Sequence, residues 1–292
     1  MSVTPSFFRL VRRSPVHAAR PATRGAVARE LPFRGAPGTR DVTTTTGHPL
    51  PPHRPHSNIS SSSGVPDRRA TAFGTMDRVT PTPPGTAVSV CPLDSAGFTR
   101  RVDDLIAVHL AAMDYPTAYF DERRSLWLTN ARQHQFTCEV AVAHPESADP
   151  DPADRTQRIV GVAFAFRGHR ATWWYREVHR GLTAGGHSPR DAGALLRDYS
   201  EISEVHVHPR AQGLGIGRVM LTRLLERLTT PVALLSTPEV PDEANAAWHL
   251  YRRLGFTDVL RDFHFAGDDR GFGVLGVVTP AGRRLRDRTR RR

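Results

Sequence analysis

From about residue 86 the apolar positions recur with two alternating periods. Short runs that are continuous or alternate every second residue predict strands at 86–93 ("TAVSVCPL"), 136–143, 158–166, 202–207, 232–237, 256–267 and 273–279. Between them lie stretches with helical spacing. In 100–113, Val102, Leu105, Ile106, His109, Leu110 and Met113 fall on one face. Further helices are predicted at 121–134 with Asp121 as N-cap, at 189–198, at 217–228, and at 242–254 ending on Gly255. The rest of 167–199, with Trp173 and Trp174, reads as an irregular insert. The pattern is that of one α/β domain over 86–281.

The two ends read differently. Residues 1–85 are rich in Pro, Ser, Thr and Arg and show no apolar periodicity. Such a segment buries too little surface to offset its ordering entropy and is expected to be a disordered tail. A start at Met76, with the preceding residues translated from upstream sequence, is a second reading. An organelle transit peptide fits less well, because an Arg- and Pro-heavy style without lysine suggests a GC-rich bacterial source. Residues 282–292 read as a solvated basic tail.

Charge adds one correction to the composition. All 40 basic residues are arginine, and the net charge is +11, but residues 1–75 carry +8 and 283–292 carry +6, leaving the middle at −3. The basic balance belongs to the ends, so it does not make the domain a nucleic-acid binder, and the C-terminal arginines lack interleaved aromatics for base stacking. Two cysteines, Cys91 and Cys138, form neither a disulfide framework nor a zinc-ligand set and fit a reducing cytoplasm. No apolar run reaches the roughly 18 residues needed to span a membrane.

The candidate chemistry sits at one strand-to-helix junction, "EVHVHPRAQGLGIGRVMLTRLLERL" (204–228), where Gly213, Gly215 and Gly217 alternate just before a helix. A helix N-terminus offers unsatisfied N–H donors and the positive dipole end, and glycine removes the Cβ that would keep an anion away. A P-loop needs a lysine, which the chain lacks. A dinucleotide fingerprint needs a glycine where Arg218 stands, directly after the strand, yet Pro209 to Gln212 intervene.

The stretch instead resembles the central motif of the Gcn5-related N-acetyltransferase (GNAT) family: Val207-His208-Pro209, then Gln212-Gly213-Leu214-Gly215-Ile216-Gly217. A second block, "NAAWHLYRRLGF" (245–256), is similar to the family's downstream motif, with Ala247, Leu250, Tyr251, Gly255 and Phe256 in register and Asn245 one position late. The resemblance covers about 86–279. It implies the GNAT fold, an α/β (α+β) architecture with a mixed sheet of six or seven strands and about four flanking helices. It also implies acetyl-CoA as co-substrate, with no metal. The backbone of Gln212, Gly213, Leu214, Gly215, Ile216, Gly217 and Arg218 would hold the pyrophosphate, and Val205, His206 and Val207 the pantetheine. Asn245 and Tyr251 would complete the cofactor contacts.

The implied reaction is acetyl transfer to a primary amine by direct attack in a ternary complex. Tyr251 would protonate the departing thiolate. Glu204 is the preferred base, ahead of Glu201 and Glu239, and strand alternation gives Glu201 and Glu204 different faces. His206 and His208 would share Glu204's face and could relay a proton; spacing places no third ligand beside them for a metal. The alternative is a non-catalytic acyl-CoA-binding or regulatory module on the same fold. The acceptor, a small molecule or a protein amine, would be chosen by 100–134 and the 167–199 insert, and the −3 domain favours a cationic one. A homodimer is an assembly the resemblance allows.

Overall fold

The protein is described by a computed structural model over residues 85–290; the readings made for residues 1–84 lie outside it. Seven strands form one sheet: β1 (Thr86–Leu93), β2 (Thr137–Pro145), β3 (Arg158–Arg167), β4 (Tyr199–Val207), β5 (Val232–Pro238), β6 (Thr257–Phe263) and β7 (Phe272–Val278). Their order is β1-β2-β3-β4-β5-β7-β6. Every neighbouring pair is antiparallel except β4 and β5. A parallel pair needs a crossover, and helix α5 (Ile216–Arg227) supplies it here.

The helices divide between the two faces of the sheet. On one face, α1 (Ser95–Met113) and α2 (Phe120–Asn130) cover β2 and β3, burying Phe98, Leu105, Ile106 and Trp127 on Val162 and Phe164. On the same face, α3 (Trp173–Ala184) and α4 (Pro189–Leu195) cover the β5–β7 end through Val178, Leu182 and Leu234. The opposite face takes α5 and α6 (Ala246–Arg253), with Met220, Leu221, Leu224 and Trp248 buried on Ala163, Ala165 and Leu235. Strand alternation explains the split: Val162, Phe164 and Phe166 point one way and Ala163 and Ala165 the other. Two helical covers therefore share one face, with β4 beneath the seam between them.

Several expectations change. The 167–199 insert is mostly helical. The signal for α3 was present as Trp174, Val178 and Leu182 at fourfold spacing behind Thr172, whose side chain caps the helix by accepting from the Tyr175 N–H. Helix α1 begins earlier than the apolar stripe, at Ser95, because Asp94 accepts the Gly97 N–H at 2.6 Å. Asp121 is not the cap of α2: it lies in the first turn, and Tyr119 holds the cap position without a side-chain hydrogen bond. Helix α7 (Pro280–Arg290) runs through most of the segment read as a solvated charge run.

Candidate active site

The site is built where β4 and β5 part. The two strands pair only at Tyr199–Val232, Ser200–Ala233 and Glu201–Leu234. β4 runs on to Val207 and β5 to Pro238, so the edge of 202–207 that faces β5 has no strand partner. Backbone donors and acceptors on an unpaired edge want a partner, and an extended amide-bearing chain is a fitting one.

The loop beyond β4 is held by its own residues. His208 Nδ1 accepts the Arg210 N–H at 3.2 Å and starts the 3₁₀ turn Pro209–Ala211. The Gln212 side chain donates from Nε2 to the Val207 carbonyl at 2.9 Å, tying the loop to the strand end. Gly213 and Gly215 sit at φ +81° and +75°, a conformation costly for any residue with a Cβ. Gly215 caps α5 with no side-chain hydrogen bond, so the first-turn amides remain available. Gly217 differs: its backbone is ordinary, and a Cβ there would meet Leu250 at 3.5 Å and Val207 at 3.7 Å, normal contact distances. Leu214 and Arg218 are exposed beside it, while Ile216 is buried and anchors the turn.

Helix α6 approaches from the far side of the opening. Asn245 Oδ1 caps it by accepting the Trp248 N–H at 2.9 Å. That oxygen is thus engaged in the fold, which is how the displaced asparagine is used. Tyr251 lies one turn further on, buried and tilted against Phe256 at 5.7 Å between ring centres. Burial and then the charge of Glu204 push its phenol above the ordinary range, so it is protonated throughout neutral pH.

The other face of β4 carries the acid–base groups. A bulge changes their alternation: Phe164 pairs with Glu204 and Ala165 with Ile202, leaving Ser203 as the extra residue. Phe166 pairs with Glu201. Since Phe164 and Phe166 share a face, so do Glu201 and Glu204, contrary to the expectation from spacing alone. Val205 and Val207 turn instead toward the α5 cluster.

Glu204 is part of a hydrogen-bonded chain. His206 Nε2 lies 2.5 Å from Glu204 Oε2 and 3.0 Å from His109 Nδ1, while the Trp127 Nε1–H donates to Glu204 Oε1 at 3.2 Å. Burial opposes ionisation of Glu204, but the His206 hydrogen bond and then the electrostatic influence of His206, His109 and Arg123 outweigh it and hold the carboxyl at about 2. Burial lowers His109 to about 4, so it is neutral at pH 7. His109 is the third group that spacing could not place, since it comes from α1. His109, Glu204 and His206 have the composition of a metal site and the separations of a hydrogen-bonded chain.

His208 stands outside this chain, because β4 ends at Val207 and the chain turns away. Glu239 is also elsewhere: it pairs with Arg261 at 2.6 Å and accepts the Asp262 N–H at 2.9 Å. Glu201 presents the opposite case. It is 8 % exposed, and its Oε2 is buried without a hydrogen-bond partner. Burial alone raises its carboxyl to about 8.

A cavity of about 240 Å³ opens at the seam of the two helical covers. Glu201, Ser203 and Glu204 form its floor with Ser236 of β5, and Arg123, Trp173 and Phe265 are among its walls. The two regions assigned to acceptor choice from the sequence do meet here, joined by the β6–β7 loop. Arg123, Trp127 and the Glu201 environment were not singled out from the sequence. Arg123 and Trp127 are four apart on α2, a spacing that puts both on one helix face, but nothing local says that β4 lies opposite.

Glu201 gives a stability test. The folded state keeps a proton that an unfolded glutamate, at its ordinary 4.5, releases. Its contribution is therefore full below 4.5 and is lost as pH rises through about 8. Glu201→Gln should remove that loss. Between pH 5 and 9 the variant should gain several kcal/mol over the wild type, at roughly 1.4 kcal/mol per pH unit. Parallel stability–pH curves in chemical denaturation would contradict the buried, uncompensated carboxyl.

Comparison with known proteins places this architecture. The Acetyltransferase (GNAT) family model matches residues 114–256. A GCN5-like protein acetyltransferase of Mycobacterium tuberculosis is 36 % identical over 204 residues, covering 66 % of this chain and 99 % of the relative. Among solved structures, a GNAT-family acetyltransferase of Bacillus cereus aligns at 10 % identity with a TM-score of 0.41, over 66 % of this chain and 98 % of its own. The spermidine/spermine N-acetyltransferase SpeG of Vibrio cholerae aligns at 15 % identity with a TM-score of 0.38, over 69 % and 99 %. The chain belongs to the GNAT acetyltransferase family. It is an acyltransferase of the class that takes its acetyl group from acetyl-CoA. Among the described residues no helix is long and apolar enough to cross a membrane.

Proposed function

We propose that the protein transfers the acetyl group of acetyl-CoA to a primary amine that enters through the seam cavity, by direct attack in a ternary complex. The observation that carries this reading is the end of β4–β5 pairing at Glu201–Leu234, flanked by a helix end without a side-chain cap on one side and the cavity on the other. The amides of 213–218 hold the pyrophosphate. The free edge at Val205, His206 and Val207 takes the pantetheine, which leads the thioester to the cavity floor. Asn245, whose oxygen is used as a cap, contributes through the position of α6.

The amine must lose a proton and the thiolate must gain one. Tyr251 is buried on the cofactor side and protonated, so it serves as the acid. Glu204 was the preferred base from sequence, but a carboxylate at about 2 that already bonds His206 and Trp127 is a weak proton acceptor. Its role is to fix His206 at the site. Glu201 lines the same cavity and is free of hydrogen bonds at Oε2; its carboxyl at about 8 is ionised in a minor fraction at pH 7 that grows with pH, and that fraction is a far stronger proton acceptor than a carboxylate at about 2. It is the better candidate to receive the proton.

Direct attack is tested by intact-mass analysis after incubation with acetyl-CoA alone. No acetylated protein should accumulate, whereas an acetyl-enzyme formed at turnover rate would replace the ternary-complex reading with a two-step one.

A further inference from the structure

Most charged groups around the cavity have partners. Asp268 pairs with Arg270 at 2.6 Å, and Glu204 bonds His206 at 2.5 Å. Two groups of opposite type remain. Glu201 is more than nine-tenths buried, and its Oε2 has no hydrogen-bond partner. Arg123 lines the same cavity, and its Nε is likewise buried without a partner among the described residues. Buried polar atoms are almost always satisfied, so two orphaned groups of complementary type in one cavity point to a ligand that satisfies both.

The remaining walls say what else that ligand carries. Trp173 stacks on Phe265 at 5.2 Å, and Phe265 meets Phe272 edge-on at 5.1 Å. Leu126 and Tyr115 lie on the α1–α2 side. These surfaces suit an apolar or aromatic side chain. A cavity of about 240 Å³ is smaller than the roughly 300–1,000 Å³ of drug-sized sites and suits a small molecule of a dozen or so heavy atoms.

Building on the acetyl-transfer reading above, we propose that this cavity is an amino-acid subsite: the acceptor is a free α-amino acid with an apolar side chain, its amine set at Glu201 and its carboxylate at Arg123. The planar guanidinium is the side chain best shaped for a carboxylate. Holding the carboxylate at Arg123 places the neighbouring amine over the cavity floor, where the free edge of β4 delivers the thioester. A lysine side chain of a protein brings no carboxylate to Arg123, and a simple alkylamine leaves that N–H unsatisfied. The step balances for a neutral amine and an ionised Glu201, the state populated as pH approaches about 8: the amine nitrogen bonds the acetyl carbon, the carbon–sulfur bond breaks, one amine proton goes to the Glu201 carboxylate, and the thiolate takes one from Tyr251.

The test uses the full chain saturated with CoA, titrated calorimetrically with phenylalanine, phenylalanine amide and phenethylamine. Phenylalanine should bind at least about 10-fold more tightly than either analogue, since a site built for a charged hydrogen bond rejects ligands that lack it. Arg123→Gln should erase that preference while leaving phenethylamine affinity and CoA affinity within about 3-fold. Arg123→Lys, which keeps the charge but loses the fork, should retain only part of it. Equal wild-type binding of all three, no binding of any, or an Arg123→Gln variant that weakens all three alike would overturn the subsite. Failure of CoA itself to bind would instead sink the acetyl-transfer reading. A leucine series run in parallel guards against an accident of the aromatic ring and must show the same order.

Discussion

Tyr251→Phe should lower the single-turnover rate of acetyl transfer by roughly 100- to 10,000-fold, the usual worth of a positioned general acid, and leave acetyl-CoA affinity nearly unchanged. The ring is buried against Phe256, so its packing survives the substitution and only the proton donor is lost. Three outcomes are distinguishable. A weaker cofactor affinity with an unchanged rate would make the hydroxyl a binding group. Near-normal values for both would make Tyr251 a core residue. The acid role requires that the chemical step slow down, which is why the measurement is made in a single turnover, where CoA release does not mask it. A rate unchanged by the mutation would end the assignment.

Gly217→Glu should weaken acetyl-CoA binding by at least about 100-fold, or about 2.8 kcal/mol. The substitution puts a carboxylate at the end of α5, where the first-turn amides and the helix dipole would otherwise receive the pyrophosphate. Gly217 is a cleaner target than Gly215. At Gly215 the φ of +75° strains any side chain, so lost binding there could reflect a distorted loop. At Gly217 the backbone is ordinary and a Cβ has room, so Gly217→Ala should fold and serve as the control. Calorimetry showing unchanged affinity in a folded Gly217→Glu variant would refute the anion cradle.

The parts of this site that could be read from the sequence are those made by local geometry. A strand, a glycine-rich turn and a helix follow one another within 204–228, and the turn chemistry is carried by residues a few positions apart. Gly213 and Gly215 hold left-handed backbone, a conformation that glycine adopts at little cost in so tight a turn. Tyr251 and Gly255 fell in the right helix and at its end for the same reason.

What could not be read depends on groups far apart in the chain, or on one extra residue. The bulge at Ser203 leaves no mark on composition, yet it brings Glu201 round to the face of Glu204 and so puts a second carboxyl beside the cavity, the one proposed above as the base. His109 was visible only as one member of an apolar helix stripe. Its bond to His206 spans 97 residues and exists because α1 lies across β3 and β4. Arg123 was one arginine among many until the fold set it beside the cavity. The acid chain Glu204–His206–His109 shows the same limit from the other side. Alternation correctly paired Glu204 with His206, but it also enrolled His208, which the end of β4 at Val207 removes.

The central claim is that this chain moves an acetyl group from acetyl-CoA to an amine. The most direct measurement supplies the purified protein with acetyl-CoA labelled in the acetyl group and follows the label by mass spectrometry across a panel of free amino acids, alkylamines and lysine-containing peptides. The account predicts an N-acetylated product formed with stoichiometric release of CoA, and lost in the Gly217→Glu variant. Tight acetyl-CoA binding with no labelled amine from any class would contradict it, and would leave the fold as an acyl-CoA-binding module.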